Sequence, residues 1–326
     1  MKKEIIFSGM QPSGNFHMGN YQVLVNWISM QDKYDAIYSI VDWHALTSSY
    51  EDTSLLQKRV FNIAADWLSA GLDPEKNTIF VQSHVKEHAE LHLLLSMITP
   101  LSWLERVPSY KDKLQQLGEM GKEINTYGFL GYPELQVADI ILYKANVVPV
   151  AEDQLPHIEL AREVARRFNH LFRPVFPEPQ AVLSPLLPGI DGRKMSKSYG
   201  NEIPFNSTPA ELKEKVRQMI TDPQRVKKTD PGDPAVCTVY TFHKIFSQAE
   251  CAEIDRGCQS AAIGCVACKN KLAAQMAETL ASVRERRAEL DAKPEKIKEI
   301  LAYGAEKAGK IAQETMREVR QVMNLS

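Results

Sequence analysis

The sequence predicts an α/β protein: a parallel sheet wrapped in helices, followed by a wholly helical region. Three observations predict it. Short apolar runs recur at residues 4–8, 36–43 and 78–83. Amphipathic helical stretches separate them, so strand and helix alternate through the first half. Past residue 205 only helical periodicity remains. Strands this apolar have no wetted face, and alternation with helices argues for a parallel sheet covered on both sides.

The first strand, residues 4–8, opens into a loop punctuated by Gly9, Pro12, Gly14 and Gly19. The helix after it, Tyr21 to Gln31, carries Leu24, Trp27 and Ile28 on one face. "AIYSIVDW" (36–43) reads as the second strand. Residues 54–71 place Leu56, Val60, Ile63, Ala64 and Trp67 on one helical face, and Gly71 is suited to end that helix. "TIFVQS" (78–83) reads as the third strand, and 84–131 as a mostly helical insertion. "ADIILYKANVVPV" follows, then a helix around "LPHIELAREVARRF". A Pro-rich stretch, 171–193, leads to a loop ending "GRKMSKSYGN". Thr208, Pro209 and Glu211 spell a helix start: cap, Pro at the first position, Glu at the third. Helices then run to the end, interrupted by "TDPGDP" (229–234). The change of character puts a boundary near residue 200.

The chain has 326 residues, 44% hydrophobic and 25% charged, with a formal net charge of −2. Such a balance argues against a protein that coats nucleic acid non-specifically, but leaves room for a local basic surface on one structured RNA. No apolar run approaches the roughly 20 residues that span a bilayer. No basic and apolar leader opens the chain, so a cytoplasmic location is the expectation.

All five cysteines fall between Cys237 and Cys268. In a reducing compartment such clustering points to metal ligation before disulfides. Cys258, Cys265 and Cys268 form C-x6-C-x2-C, and the fourth ligand is Cys237 or Cys251. Cys251 and Cys258 on one helix would stand about 10 Å apart along its axis. Cys237 has no such restriction, so the expected set is Cys237, Cys258, Cys265 and Cys268. Four thiolates suit zinc or a 4Fe–4S cluster equally by type.

Two segments carry chemistry. A loop between the first strand and first helix of a parallel sheet lies at the carboxyl edge, where ligands bind. The free N–H groups of the helix start make phosphate its natural guest, and His17 could donate to it. "KMSKS" (194–198) sets two ammonium groups in a Gly- and Pro-bordered loop. Such a loop can close over a triphosphate and neutralise charge as pyrophosphate leaves.

Paired in this order, "GNFHMGN" and "KMSKS" resemble the two signatures of class I aminoacyl-tRNA synthetases. The first is usually HIGH, and this chain departs from it at Met18 and Asn20. Asn in the fourth position is familiar in the tryptophanyl branch. "GMQPSGNFHMGNY", "VDWHALT", "YPELQVADIILYKANVVPVAEDQLPHIELAREVARRFN" and "GRKMSKSYGN" fit that branch over nearly the whole chain. Ala151 stands where the family usually has Gly.

The resemblance implies a Rossmann-like catalytic domain with a helical insertion over residues 1–200, and an all-α anticodon-binding domain over 201–326. It implies that Gln11, Pro12, Ser13, Gly19 and Asn20 hold ATP and that His17 contacts its phosphates. Ala151, Glu152 and Asp153 would border adenosine and the amino acid's amine, and Val182 would face adenine. Lys194, Met195, Ser196, Lys197 and Ser198 would form the mobile loop, with His17, Lys194 and Lys197 catalytic. Asp139 stands where the branch places the acceptor for the indole N–H, which can only donate. His44 and Gln154 lean to tryptophan over tyrosine, and Phe7, Tyr132, His44 and Val150 could form a flat slot. The implied reaction activates L-tryptophan with ATP and magnesium and transfers it to tRNA(Trp). The implied assembly is a homodimer, with no membrane or DNA partner. One subset of the branch has a cysteine pattern like this one and holds 4Fe–4S, which favours that cluster over zinc.

Overall fold

Strand β1 (Ile5–Met10) lies at the centre of a five-stranded sheet. Its companions are β2 (Asp35–Ile40), β3 (Asn77–Val81), β4 (Val147–Val150) and β5 (Gln180–Leu183). The order is β3-β2-β1-β4-β5 and every pairing is parallel. Ile6 lies between Ala36 and Val147, which fixes the central register. The computed structural model describes residues 3–325 apart from 13, 15, 120–124, 185, 197 and 198.

The pleat sorts the side chains into two cores. Ile6, Tyr38 and Ile79 point to one face, under helices Met18–Met30 and Leu56–Ala70. Phe7, Ile37 and Phe80 point to the other, under Glu87–Ser96, Tyr132–Leu142 and Leu155–Leu171. The chain winds outward from β1 to β3, then crosses to β4 and β5 on the other side. The direction of winding therefore reverses between β1 and β4, which opens a crevice beyond their carboxyl ends.

The helical end is built from Pro209–Gln218, Thr238–Phe246, Cys251–Gln259, Cys265–Asp291 and Pro294–Val322. The helix start at Thr208 forms as read: the Thr208 hydroxyl accepts from Glu211 N, and Glu211 Oε2 accepts from Thr208 N at 2.7 Å. Gly71 ends its helix in the left-handed conformation, φ 112°. The last helix crosses the edge strand β3. Its first half, with Ile297 and Leu301, joins one core, while Ala308, Ala312, Met316 and Val319 join the other. Gly304 marks the crossing, where a Cβ would sit 1.8 Å from the Ile79 carbonyl oxygen. A helix so close covers a sheet edge that would otherwise invite another strand. Among the described residues no helix is long and apolar enough to cross a membrane.

The structure differs from the sequence reading in two places. The second strand ends at Ile40, and Asp42–Ser49 is a helix. The Asp42 carboxylate draws the chain off the strand line by accepting from Trp43 N and Ser83 N. Strand β5 lies within the Pro-rich stretch 171–193, where the sequence reading places no strand. It is an edge strand, half-exposed and without the apolar run that betrays a buried one.

Candidate functional site

Each strand of the sheet ends in a residue that borders the crevice or stands just behind its wall. Met10 ends β1 and Gln11 follows it, His44 follows β2, Gln82 follows β3, Ala151 and Gln154 follow β4, and Ser184 follows β5. Three cavities meet there. One of about 400 Å³ is lined by Phe7, Gln11, Asn20, His44, Tyr132 and Asp139, and extends to Val150, Ala151 and Gln154. The second, about 230 Å³, shares Met10, Gln11 and Asn20 with it and adds His17, Met195 and Ser196. The third is a wide cleft sharing Ala151 and Ser184 with the first, and it adds Glu152, Asp153 and Lys194.

The two signature segments touch. Gly19 N donates to Met195 Sδ at 3.3 Å, and Met18 N donates to Ile203 O at 2.9 Å. Met195 is buried, so the second residue of the basic pentamer anchors the loop onto the first helix. Asn201 braces the loop from behind: its Nδ2 donates to Asp191 Oδ1 at 2.7 Å and its Oδ1 accepts from Ser196 N at 2.8 Å. Asn201 packs so tightly on Gly189 that a Cβ there would meet it at 2.3 Å. Lys194 Nζ bonds Asp153 Oδ2 at 2.7 Å across the cleft. Lys197, Ser198 and Ser13 lie outside the described residues.

His17 and Asn20 divide their labour. The Asn20 side chain accepts from His17 N at 3.2 Å, holding the helix start. The His17 ring lies over Gly19, where a Cβ would stand 3.0 Å from its Cε1. His17 Nδ1 is buried with no partner among the described residues, and burial lowers the ring's pKa. A buried polar atom left unbonded at a helix N-terminus fits an anionic guest.

Asp139 is the most buried charge of the crevice, 1% exposed. Its Oδ1 accepts from His88 Nδ1 at 2.7 Å and its Oδ2 from His44 Nε2 at 2.9 Å. Gln82 Nε2 reaches both oxygens, at 2.7 and 2.9 Å. Burial pushes the carboxyl up, but His88 and His44 outweigh it and hold it at about 2. It is therefore an ionised acceptor, held by three side chains at the wall of an apolar slot. Phe7, Tyr132 and Val150 wall that slot. The Tyr132 hydroxyl and Ser109 Oγ are 2.8 Å apart, and Ser109 bonds His157 Nε2 at 2.7 Å.

Several of these residues escape the sequence reading. Ser109 and His157 line the slot, Gln82 and His88 hold Asp139 from behind it, and Asn201 braces the loop. Gln82 carries a weak signal, because it directly follows a strand of a parallel sheet; the others carry none. Val182 packs against the core on the sheet face, and Leu183 and Ser184 beyond it line the cleft. Pro12 is buried in the first loop.

The cysteines lie in the helices that follow the sheet. Cys237 caps helix Thr238–Phe246, Cys258 ends Cys251–Gln259, and Cys265 and Cys268 occupy the first turn of Cys265–Asp291. Burial raises the Cys268 thiol to about 12, with Cys237, Cys258 and Cys265 adding to the shift. Those four thiols thus share one electrostatic neighbourhood. Cys251 faces elsewhere: its helix runs unbroken through Gly257, and its thiol donates to His243 O at 3.2 Å. Arg225 Nη1 stands 3.7 Å from Cys258 Sγ, and Cys268 Sγ is 3.3 Å from His243 Nε2. Among the described residues, no three His, Cys, Asp or Glu side chains are arranged to hold a metal ion.

Comparison with known proteins agrees with this geometry. The family model described as tRNA synthetases class I (W and Y) matches residues 1–281. A tryptophan–tRNA ligase of Thermotoga maritima is 48% identical, covering 98% of this chain and 99% of its own. One from Aquifex aeolicus is 42% identical, with the same two coverages. Among solved structures, the tryptophanyl-tRNA synthetase of Campylobacter jejuni complexed with ADP and tryptophan superposes with a TM-score of 0.85. It is 36% identical and covers 98% of this chain and 100% of its own. A match over most of the length, with the crevice built at the same sheet edge that the two signatures mark, places this chain in the class I tRNA synthetases of the W and Y family, among the tryptophanyl-tRNA synthetases.

Proposed function

We propose that the crevice activates L-tryptophan with ATP and loads it onto tRNA(Trp). The choice of tryptophan rests on the tryptophan–tRNA ligases that this chain resembles, and one observation supports where its ring would lie: an ionised carboxylate, Asp139, deep in an apolar slot beside the phosphate-binding loop. Such an acceptor suits a flat ring with one N–H donor. The amino-acid carboxylate attacks the α-phosphorus of ATP, pyrophosphate leaves, and the 2′-hydroxyl of the terminal ribose then takes the acyl group. No side chain forms a covalent bond to substrate. The protein positions the reactants and stabilises charge on the phosphates.

In this reading Phe7, Tyr132, His44, Asp139 and Gln154 hold tryptophan. Gln11, Pro12, Ser13, Gly19 and Asn20, with Ala151, Glu152, Asp153 and Val182, surround ATP. His17, Lys194 and Lys197 meet the phosphates, on a loop that also includes Met195, Ser196 and Ser198, and magnesium accompanies the nucleotide. The Lys194–Asp153 pair is then a resting contact that the triphosphate replaces. Amino-acid-dependent exchange of pyrophosphate into ATP tests the assignment: tryptophan should support it and tyrosine should not. Exchange with tyrosine alone would overturn it.

We assign residues 1–200 to catalysis and 201–326 to the anticodon, joined by the last helix where it crosses β3. Exposed apolar side chains at Leu93, Met97, Leu101 and Tyr127, all in or beside the helical insertion, support a homodimer through that face. At the helical end, Cys237, Cys258, Cys265 and Cys268 are the residues that would hold 4Fe–4S. The support is four thiols in one neighbourhood with an arginine beside them, and Cys251 turned away. Bound there, the cluster would tie the segment at 237 to that at 268; zinc is the alternative occupant for the same donors.

A further inference from the structure

Asp139 takes hydrogen bonds from three side chains, and only one of them borders the cavity. His44 lines it; Gln82 and His88 stand behind, both fully buried. Beyond His88 lies a fourth group. The Tyr143 hydroxyl is 2.7 Å from His88 Nε2 and the ring is buried. An ionised carboxylate can only accept, so His88 Nδ1 carries the proton that goes to Asp139. The ring's other nitrogen, Nε2, meets the Tyr143 hydroxyl, so the imidazole is pinned at both ends. The same tyrosine ring stacks on Phe7, with centroids 5.4 Å apart and planes at 11°. Phe7 is a wall of the slot.

We infer that Tyr143 and His88 are positioning residues for amino-acid selection. Through His88, Tyr143 fixes the ring orientation that engages Oδ1 from behind, and so leaves Oδ2 turned to the cavity. There His44 occupies Oδ2 until the indole N–H takes its place. Through Phe7, the same tyrosine sets the wall against which the indole ring lies. One buried side chain thus keeps acceptor and slot in register. Gln82 alone cannot do so, because its Nε2 straddles both oxygens and favours neither strongly. The inference rests on Asp139 being the acceptor for the indole N–H.

The test compares tryptophan with β-(3-benzothienyl)alanine, which has sulfur where indole has N–H. ATP–pyrophosphate exchange is measured with each, on the full-length protein and on Tyr143→Phe, His88→Leu and His88→Asn. Tyr143→Phe deletes one oxygen and keeps the ring on Phe7. The expected result is a rise of about tenfold in KM for tryptophan, the scale of one misaligned hydrogen bond to a charge. KM for the sulfur analogue and for ATP should hold, so the preference for tryptophan falls by the same factor. His88→Leu should lose at least as much, and His88→Asn, whose amide N–H can stand near Nδ1, should recover part of it. Equal changes in both KM values would mean the pair only supports the fold, and would overturn the inference, as would no change in either. If His88→Leu does not fold, the Tyr143→Phe result decides alone. A wild-type protein that uses both amino acids equally well would instead overturn Asp139 as the acceptor, and this inference with it.

Discussion

Replacing Gly19 by alanine should separate stability from catalysis. The residue sits in the first turn of helix Met18–Met30, and its backbone is not in the left-handed region. Alanine stabilises a helix over glycine by about 1 kcal/mol, so the fold has no reason to weaken. The new methyl group would stand 3.0 Å from His17 Cε1, 3.1 Å from its Nδ1 and 3.5 Å from Met195 Cβ. The imidazole must then move by a few tenths of an ångström. A misplacement of about 1 Å at a reacting centre can cost about a hundredfold in rate, so a shift of this size should cost on the order of tenfold. Single-turnover formation of adenylate should slow by that factor, while KM for tryptophan, whose slot lies on the far side of Asn20, stays put. Thermal melting should show Tm unchanged or slightly raised. A variant that keeps the full adenylate rate would show that the His17 ring has no part in handling the phosphates. A variant that loses rate and Tm together would show that Gly19 serves packing alone.

Other outcomes follow from the same geometry. Lys194→Ala should slow adenylate formation by about 10²–10³, the effect of removing one donor to a charge that grows in the transition state. Pre-steady-state kinetics would reveal it, and a change confined to KM for tryptophan would contradict it. Glu134 is buried on helix Tyr132–Leu142, and burial raises its carboxyl from 4.5 to about 7. A folded-state value above the unfolded one means stability is fully present below pH 4.5 and is lost as pH rises through 7. Glu134→Gln should therefore match wild type near pH 4.5 and exceed it by about 2 kcal/mol at pH 8, read by denaturant melts at both. For the helical end, anaerobically prepared protein should bind iron and sulfide. Cys237→Ser should lose them and Cys251→Ser should keep them. The reverse pattern would replace Cys237 by Cys251, and zinc without iron would replace the cluster.

The sequence made the sheet legible where strands are buried on both faces. Residues 4–8, 36–43 and 78–83 announce themselves because each holds a short run of large apolar side chains, such as Ile5, Ile6 and Phe7 or Ile79, Phe80 and Val81. Strand β5 does not, since an edge strand between Pro179 and Ser184 needs only one good face and its residues are half-exposed. The site divides in the same way. His17, Asn20 and the 194–198 loop sit in local patterns whose backbone geometry is written in neighbouring Gly and Pro residues. Asp139 could be singled out by resemblance, but not what holds it. Gln82 and His88 are 57 and 51 residues away in the chain and reach it only after β3 and two helices have packed. No periodicity encodes such a meeting, because it depends on which face of each helix the sheet captures.

The last helix shows the same limit from the other side. Its charge pattern reads as a solvated face, and much of its surface is exposed. Yet Gly304, unremarked in the sequence, is the point where it lies against β3, close enough that any side chain would strike the Ile79 carbonyl. Three residues further along that strand's path comes Gln82, which holds Asp139. The helix thus bears on the strand that leads into the amino-acid slot. A glycine in mid-helix normally costs about 1 kcal/mol against alanine. Here the cost is offset by contact that no larger residue could make: helix backbone against strand backbone, with one half of the helix in each core. The strands stop at Leu183, while the two hydrophobic cores continue past residue 200 into the helices beyond.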